Sequence, residues 1–262
     1  MKLDTSSYYP PSPLDDEPEE EVIVEIEKEE IARDDVRRDA PGDSMGDRKE
    51  DAMPSGGECL ADGVATFLSW ALVPLLMPVY GVLLAFNVSI LDFTPVSVKT
   101  VFTLVTAAFT VAVPALLVFL LKRMGLVQDI GLNGRKERLI PYIISIVSMA
   151  GTGAFMWYKG APMWLVMFFA GGAVAALVNL IINFRWKISA HAAGIAGIVA
   201  LLLRILRYGF PMESAFIWLL ITIGLAGLLG TSRVWLGRHS VWQVVAGYAV
   251  GFSAVFFMTI IH

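Results

Sequence analysis

The feature that most constrains the fold is a stretch of about 200 residues, from residue 63 to the end, that is almost wholly apolar. It divides into seven apolar segments, at about 63–86, 100–121, 139–158, 162–184, 190–206, 213–230 and 240–261. A helix needs about 20 residues to cross about 30 Å of hydrocarbon, and five of the segments reach that length comfortably. We therefore predict an all-α fold, a polytopic transmembrane helix bundle of about seven spans, for residues 63–262.

Residues 1–62 have the opposite character. They contain 20 of the 24 acidic residues and 7 of the 20 basic ones, a net charge of −13, whereas residues 63–262 have a net charge of +9. A charged segment with so few apolar side chains cannot bury enough surface to fold. We predict a disordered acidic tail over residues 1–62, and its sequence does not indicate a partner.

Seven spans bring the loops at 122–138, 185–189 and 231–239 to the side of the membrane on which the N-terminus lies. Eleven lysines and arginines lie near the membrane on that side, against four on the other. The positive-inside rule then predicts that the N-terminus and these loops face the cytoplasm. If Arg135, Lys136, Arg138 and Arg233 bind a ligand instead, the count of lysines and arginines falls to seven on that side against four on the other.

Two of the three histidines lie on this predicted side, His191 at the start of the fifth segment and His239 at the start of the seventh. A lone histidine near a helix end is more often structural than functional. Two on one side, each close to a serine and to basic residues, favour a functional site, because ionisable groups at membrane depth are costly.

The basic residues of the three loops suggest an anionic ligand. They include Arg135, Lys136, Arg138, Arg185, Lys187, Arg233 and Arg238. A solvated, positively charged loop face accounts for some of them. However, arginines that converge with helix N-termini also bind phosphate, through forked donors, backbone N–H groups and the helix dipole.

The last loop contains Ser232-Arg233, five residues and then His239, with Gln243 four residues further on. This spacing resembles the third motif of the type 2 phosphatidic acid phosphatases, Ser-Arg-x5-His-x3-Asp, with Gln243 at the Asp position. The run from Ile188 to His191 is similar to the second motif, Pro-Ser-Gly-His. The basic run that ends at Pro141 has the charges of the first motif, Lys-x6-Arg-Pro, but not its spacing. The resemblance covers roughly residues 64–262 and is to a bacterial branch, which implies a bacterial cytoplasmic membrane.

The resemblance implies a metal-independent lipid phosphatase that needs no cofactor. His239 would attack phosphorus and form a phosphohistidine, and His191 would protonate the leaving oxygen. The phosphoryl oxygens would be bound by Arg233, Lys136, Arg138, Arg135, Ser189 and the Ala190 backbone N–H. The substrate would be a phosphomonoester or diphosphate of a lipid, of the phosphatidate, phosphatidylglycerol phosphate, polyprenyl diphosphate or lipid A class.

Two positions depart from the family pattern. Gln243 could accept the hydrogen bond that the family's Asp accepts from the histidine ring, and it lies one helical turn beyond His239. Without a charge, it would stabilise an imidazolium less than Asp does. Ala190 adds a methyl group where the backbone would approach phosphate. The alternative is therefore a weakly active or inactive member that binds an anionic lipid, as a carrier or a scaffold.

The sequence argues against several other classes. Four scattered carboxylates after residue 62 cannot build a two-metal site, and no His/Cys cluster suggests zinc, so we predict no metal. Nucleic acid is not expected, because the basic residues occupy short membrane loops beside an acidic tail. The expected partners are a phosphorylated lipid and the bilayer.

Overall fold

The computed structural model of the chain describes residues 56–123 and 139–260, and every regular element in these ranges is helical. The helices are α1 (Gly56–Ala71), α2 (Met77–Val88), α3 (Val96–Ala107), α4 (Val113–Arg123), α5 (Leu139–Tyr158), α6 (Met163–Asn183), α7 (Ala190–Tyr208), α8 (Ala215–Trp235) and α9 (Val241–Ile260). A 3-10 turn lies at Ile90–Phe93, and a π-helical turn at Ala108–Ala112 joins α3 to α4. For these residues the all-α prediction is confirmed.

Six helical stretches of the described part are long and apolar enough to cross a membrane. They are Val96–Leu121, Leu139–Tyr158, Met163–Asn183, Ala190–Tyr208, Ala215–Trp235 and Val241–Ile260. This is the architecture of an integral membrane protein. The fifth and sixth segments are longer than the sequence suggested, and both reach the length of a full span.

The first predicted span, 63–86, is divided in the structure. Helix α1 ends at Ala71 and α2 begins at Met77, so neither is long enough to count among the six. Pro74 lies in the break, where its ring and its missing N–H end the first helix. The helix also begins earlier than predicted, at Gly56, so the last seven residues of the predicted tail are helical, and residues 1–55 lie outside the described part.

Helices α7 and α9 run parallel and in contact along most of their length. At one end the Ser189 N–H donates to the Gln243 carbonyl over 3.2 Å, and at the other Arg204 Nε donates to the Thr259 carbonyl over 3.3 Å. A Cβ atom on Gly247 would lie 2.5 Å from the Ser189 carbonyl oxygen, so only glycine allows this approach. A small residue at this position therefore allows the close contact between α7 and α9.

Arg204 lies buried inside the bundle rather than extended to the headgroups. It is only 7% exposed, and its guanidinium carbon lies 4.9 Å from the centre of the Trp164 ring. With its bond to the Thr259 carbonyl, Arg204 therefore joins α6, α7 and α9 at the end of the bundle opposite the histidines.

The starts of α7 and α9 and the end of α8 lie at one end of the bundle, which we call the histidine end and define by His191, Arg233 and His239. The arrangement follows from the parallel course of α7 and α9, because α8 connects them and must run back. Helix α1 lies at the same end, where Trp235 Nε1 donates to Asp62 Oδ1 over 2.8 Å. Helix α2 runs from this end to the opposite end of the bundle, where Ser89, directly after α2, forms a backbone bridge with Pro211.

Candidate active site at the histidine end

The loop between α8 and α9 ties the backbone of His239 to that of Arg233. The Arg233 carbonyl accepts the N–H groups of both Arg238 and His239, each over 3.1 Å, and the Gly237 N–H donates to the Val234 carbonyl over 2.9 Å. This is a Schellman-type helix end, and Gly237 has the left-handed φ of 62° that such an end requires. The turn therefore brings His239 back to the last turn of α8, beside Arg233.

Ser240 and Gln243 form a reciprocal capping box at the start of α9. Gln243 Oε1 accepts the Ser240 N–H over 3.2 Å, and Ser240 Oγ accepts the Gln243 N–H over 3.4 Å. The same Oε1 lies 3.1 Å from His239 Nδ1. Gln243 thus has a structural function at the helix start in addition to its contact with the histidine ring.

This arrangement determines which nitrogen of His239 carries the proton. The Ser240 N–H can only donate, so the side-chain atom of Gln243 that faces it is the carbonyl oxygen rather than the amide nitrogen. An oxygen only accepts, so His239 Nδ1 must be the N–H donor. In the neutral ring Nε2 is then the unprotonated nitrogen. His239 is 8% exposed, so its surroundings hold this orientation.

His191 is held differently, by a backbone carbonyl of α1. Its Nε2 lies 3.2 Å from the Ser69 carbonyl oxygen, which accepts only, so Nε2 carries the proton and Nδ1 has the lone pair in the neutral ring. Ser69 is 9% exposed, and its Oγ has no hydrogen-bond partner among the described residues. The sequence gives no signal for this contact, because Ser69 is an ordinary residue of an apolar segment.

The structure brings His191, His239 and Arg233 together. His191 lies within electrostatic reach of both the Arg233 guanidinium and the His239 imidazole. The hydrogen bond between Ser189 and Gln243 keeps the first turns of α7 and α9 side by side. Two helix N-termini, an arginine and two imidazoles therefore lie close together. The helix N-termini and the arginine each attract an anion.

Ser189 has a structural contact that the sequence analysis did not foresee. Its side chain is fully buried and caps α7, because Oγ accepts the Ala192 N–H over 3.3 Å. Ala190, the first residue of the helix, is half-buried. Its N–H belongs to the group of helix-start donors that lack an intrahelical acceptor, so it is the better placed of the two for a phosphate contact.

Three predicted phosphate ligands, Arg135, Lys136 and Arg138, lie outside the described residues. Other residues that shape the site were missed at the sequence level, although two had readable signals. A Ser-x-x-Gln run at Ser240 is a capping box, and Gly237 directly follows the last turn of a helix. Asp62, which binds Trp235, was assigned to the tail and had no signal for a contact.

The geometry can support attack by an imidazole on an electrophile with an anionic group held beside it. Within residues 56–123 and 139–260, no group of three or more His, Cys, Asp or Glu side chains could hold a metal ion. Comparison of the chain with protein-family models, curated proteins and solved structures gives no match in any of the three.

Proposed function

We propose that this protein is an integral-membrane lipid phosphatase that hydrolyses a phosphomonoester or diphosphate of a lipid through a phosphohistidine. The observation that carries the proposal is the contact of His239 Nδ1 with Gln243 Oε1, 3.1 Å long, whose polarity the Ser240 N–H fixes. It makes Nε2 the unprotonated nitrogen of the neutral His239 ring, and an unprotonated imidazole nitrogen is the one that can attack phosphorus. A histidine with this tautomer beside an arginine and two helix starts is suited to phosphoryl transfer.

In the first step His239 Nε2 attacks phosphorus, and the bond between phosphorus and the lipid oxygen breaks. Arg233 neutralises charge on the phosphoryl oxygens, and His191 delivers a proton to the leaving oxygen. In the second step water attacks the phosphohistidine, His191 accepts a proton from that water, and the P–N bond breaks to release inorganic phosphate. The products are a lipid alcohol, or a lipid monophosphate from a diphosphate, and phosphate.

The position of the site supports the proposed substrate class. The histidine end lies at the ends of helices that are long enough to cross the hydrocarbon, which is the level of lipid headgroups. Phosphatidate, phosphatidylglycerol phosphate, a polyprenyl diphosphate and a phosphorylated lipid A all present phosphate there. We assign no one of these in preference to the others.

The direct test is phosphate release from a panel of these lipids by the purified protein. We expect release by the wild type and loss of at least about a hundredfold in His239→Ala and His191→Ala, since general acid catalysis contributes about 10²–10⁴-fold. Arg238→Gln, which alters an exposed side chain in the same loop, is the matched control and should retain activity. Activity that survives His239→Ala would refute the phosphohistidine.

One observation favours a second candidate, a carrier or scaffold that binds anionic lipid without hydrolysis. The proton on His191 Nε2 is shared with the Ser69 carbonyl, so the ring must leave that acceptor, or gain a proton on Nδ1, before it can serve as an acid. The capping box also explains Gln243 without catalysis. Binding of a lipid phosphate with no release of phosphate from any member of the panel would support this candidate.

We further propose a bacterial cytoplasmic membrane, with the histidine end on the cytoplasmic side. The native Cys59 is exposed on α1, one turn from Asp62, and therefore reports on that side. An impermeant thiol reagent should label it only after the cells are permeabilised. A second reporter, Arg238→Cys in a Cys59→Ser background, should give the same pattern, and labelling of either in intact cells would reverse the orientation.

A further inference from the structure

A cavity of about 110 Å³ lies inside the bundle beside the histidine end. Its walls come from the segment between α1 and α2, the start of α2, the π-helical turn at Ala108–Ala112, α5, α6, α7 and Val255 of α9. Ala190 lines it, so the cavity begins next to His191 and extends into the bundle as far as Gly172 and Gly197. Among the described residues that line it, neither histidine nor Arg233 is present. The cavity is therefore a neighbour of the candidate active site and not part of it.

The walls of the cavity are mostly apolar, and the described lining residues include no charged side chain. The polar ones are Thr110, Tyr142, Ser145, Ser148 and Asn179. The hydroxyls of Thr110 and Ser145 already donate to the carbonyls of Thr106 and Pro141, over 2.9 and 2.8 Å. Any occupant must consequently be uncharged and largely apolar, with at most a few polar atoms.

Asn179, on α6, differs from Thr110 and Ser145. It is 2% exposed, and its Oδ1 has no hydrogen-bond partner within the described part of the chain. Buried polar atoms are nearly always hydrogen-bonded, and an unsatisfied one needs an explanation. The explanation offered by this structure is an occupant of the cavity that supplies the missing partner.

A hydroxyl group matches this carboxamide best. A carboxamide presents both an acceptor and donors, and a hydroxyl can donate to the first and accept from the second. A volume of about 110 Å³ is several times the roughly 10–15 Å³ that one water needs, so there is space for a short aliphatic segment as well. Water alone would meet polar groups on α5, α6 and the π-helical turn, and apolar surface elsewhere.

We propose that the cavity binds a hydroxyl-bearing aliphatic lipid, with the hydroxyl on Asn179 and the adjoining carbons against the apolar walls. The binding is independent of whether the imidazoles are catalytic. If they are, the position of Ala190 at one end of the cavity makes this hydroxyl a selectivity element close to the phosphate. Asn179 then distinguishes lipids with a free hydroxyl near the headgroup from those without one.

The test is photolabelling of the purified full chain with two matched probes, a diazirine-bearing 1-octanol and the analogue in which fluorine replaces the hydroxyl. We expect the alcohol to label residues of the cavity, such as Met149 or Phe168, at least fivefold more than the fluoride does. Asn179→Leu should reduce labelling by the alcohol to the level of the fluoride. Ser145→Ala is the matched control, because its hydroxyl already has an acceptor, and it should retain the preference.

A competition experiment on the wild type keeps the inference open to refutation if Asn179→Leu does not fold. Unlabelled 1-octanol should protect the cavity at concentrations at least fivefold lower than 1-fluorooctane. Equal labelling or equal protection by the two probes would overturn the proposal. So would adducts only outside the cavity, which would mean that it holds water. None of these readouts depends on phosphate release.

Discussion

Gln243 Oε1 lies 3.1 Å from His239 Nδ1 and accepts the Ser240 N–H at the same time, over 3.2 Å. One oxygen therefore closes the first turn of α9 and sets the tautomer of the histidine. A carboxylate at this position would do both and would also carry a charge. The contact shows how a glutamine can orient a histidine ring, and it also shows what the glutamine lacks, which is a negative charge.

The first prediction concerns that charge. Gln243→Glu keeps both hydrogen bonds and stabilises the imidazolium that forms during attack, so phosphate release should rise about fivefold, the equivalent of roughly 1 kcal/mol. Gln243→Leu removes the acceptor and should lower the rate by about tenfold to a hundredfold. Initial rates on the best lipid of the panel provide the measurement.

Ser240→Ala separates the two functions of Gln243. It removes the cap hydroxyl but leaves the contact with His239, so it should cost about 1 kcal/mol of stability and change the rate little. A Gln243→Leu protein as active as the wild type would show that the glutamine is only a capping residue.

The second prediction concerns Gly237, whose φ is 62°. Alanine in this left-handed conformation costs about 1–2 kcal/mol, and the strain falls on the turn that joins Arg233 to His239. Gly237→Ala should therefore lower both the thermal midpoint in detergent and the rate of phosphate release.

Gly160→Ala is the matched control for Gly237. Gly160 also has a left-handed φ, of 74°, but it lies between α5 and α6 at the opposite end of the bundle. It should lose similar stability with no change in rate per folded molecule. Equal loss of activity in both variants would mean that the turn at Gly237 does not position the site.

The third prediction compares two helical glycines. A Cβ atom on Gly251 would overlap the Ala193 carbonyl, whereas a Cβ on Gly224 would meet nothing within 4 Å. Gly251→Ala should lower the thermal midpoint by several degrees, because α9 must move away from α7. Gly224→Ala should leave it unchanged or raise it slightly, since alanine favours a helix by about 1 kcal/mol. A lower thermal midpoint for Gly224→Ala than for Gly251→Ala would mean that the contact between α7 and α9 contributes little to stability.

The fourth prediction concerns the buried arginine. Arg204→Lys removes the planar group over Trp164 and the Nε–H donor to Thr259, and it should destabilise the protein by about 1–2 kcal/mol. Arg207→Lys changes an exposed arginine that lies 5.1 Å from the centre of the Tyr208 ring, and it should have a much smaller effect. Thermal unfolding of both variants in the same detergent is the measurement. Equal midpoints for Arg204→Lys and Arg207→Lys would contradict the prediction.

The fifth prediction concerns metal ions. The described residues offer no cluster of three metal ligands, and the proposed mechanism uses none. Phosphate release should therefore be unchanged in the presence of an excess of EDTA. Loss of activity in EDTA that Mg²⁺ restores would contradict the mechanism, whatever the behaviour of His239→Ala.

The sequence predicted the helices well because hydrophobic length determines them. It failed at Pro74, where one apolar segment is two helices, since apolarity by itself does not show where a proline breaks a helix and where bundle packing tolerates it. Pro114, in contrast, lies inside a helical stretch that continues past it. Its missing N–H interrupts the hydrogen bonding inside a continuous span, and the π-helical turn at Ala108–Ala112 lies directly before it.

At the site, spacing along the chain predicted the partners that are close in sequence and missed those that are distant. His239 and Gln243 are one turn apart, so their contact was foreseeable. Ser69 lies 122 residues before His191, and only the folded bundle brings its carbonyl to that ring. The sequence also did not indicate Asn179, because a buried amide oxygen without a partner can be recognised only when its surroundings are known.

The contact of Gly247 and Gly251 with the start of α7 has a consequence for the size of headgroup that the site can accept. His191 and His239 are attached to helices whose backbones touch each other, so the gap between the two rings cannot widen by separation of α7 from α9. Helix α1 is attached at this end through side-chain and carbonyl hydrogen bonds, at Asp62 and Ser69, which break at lower cost. We expect larger headgroups to be admitted by displacement of α1, a helix that contributes none of the predicted site residues.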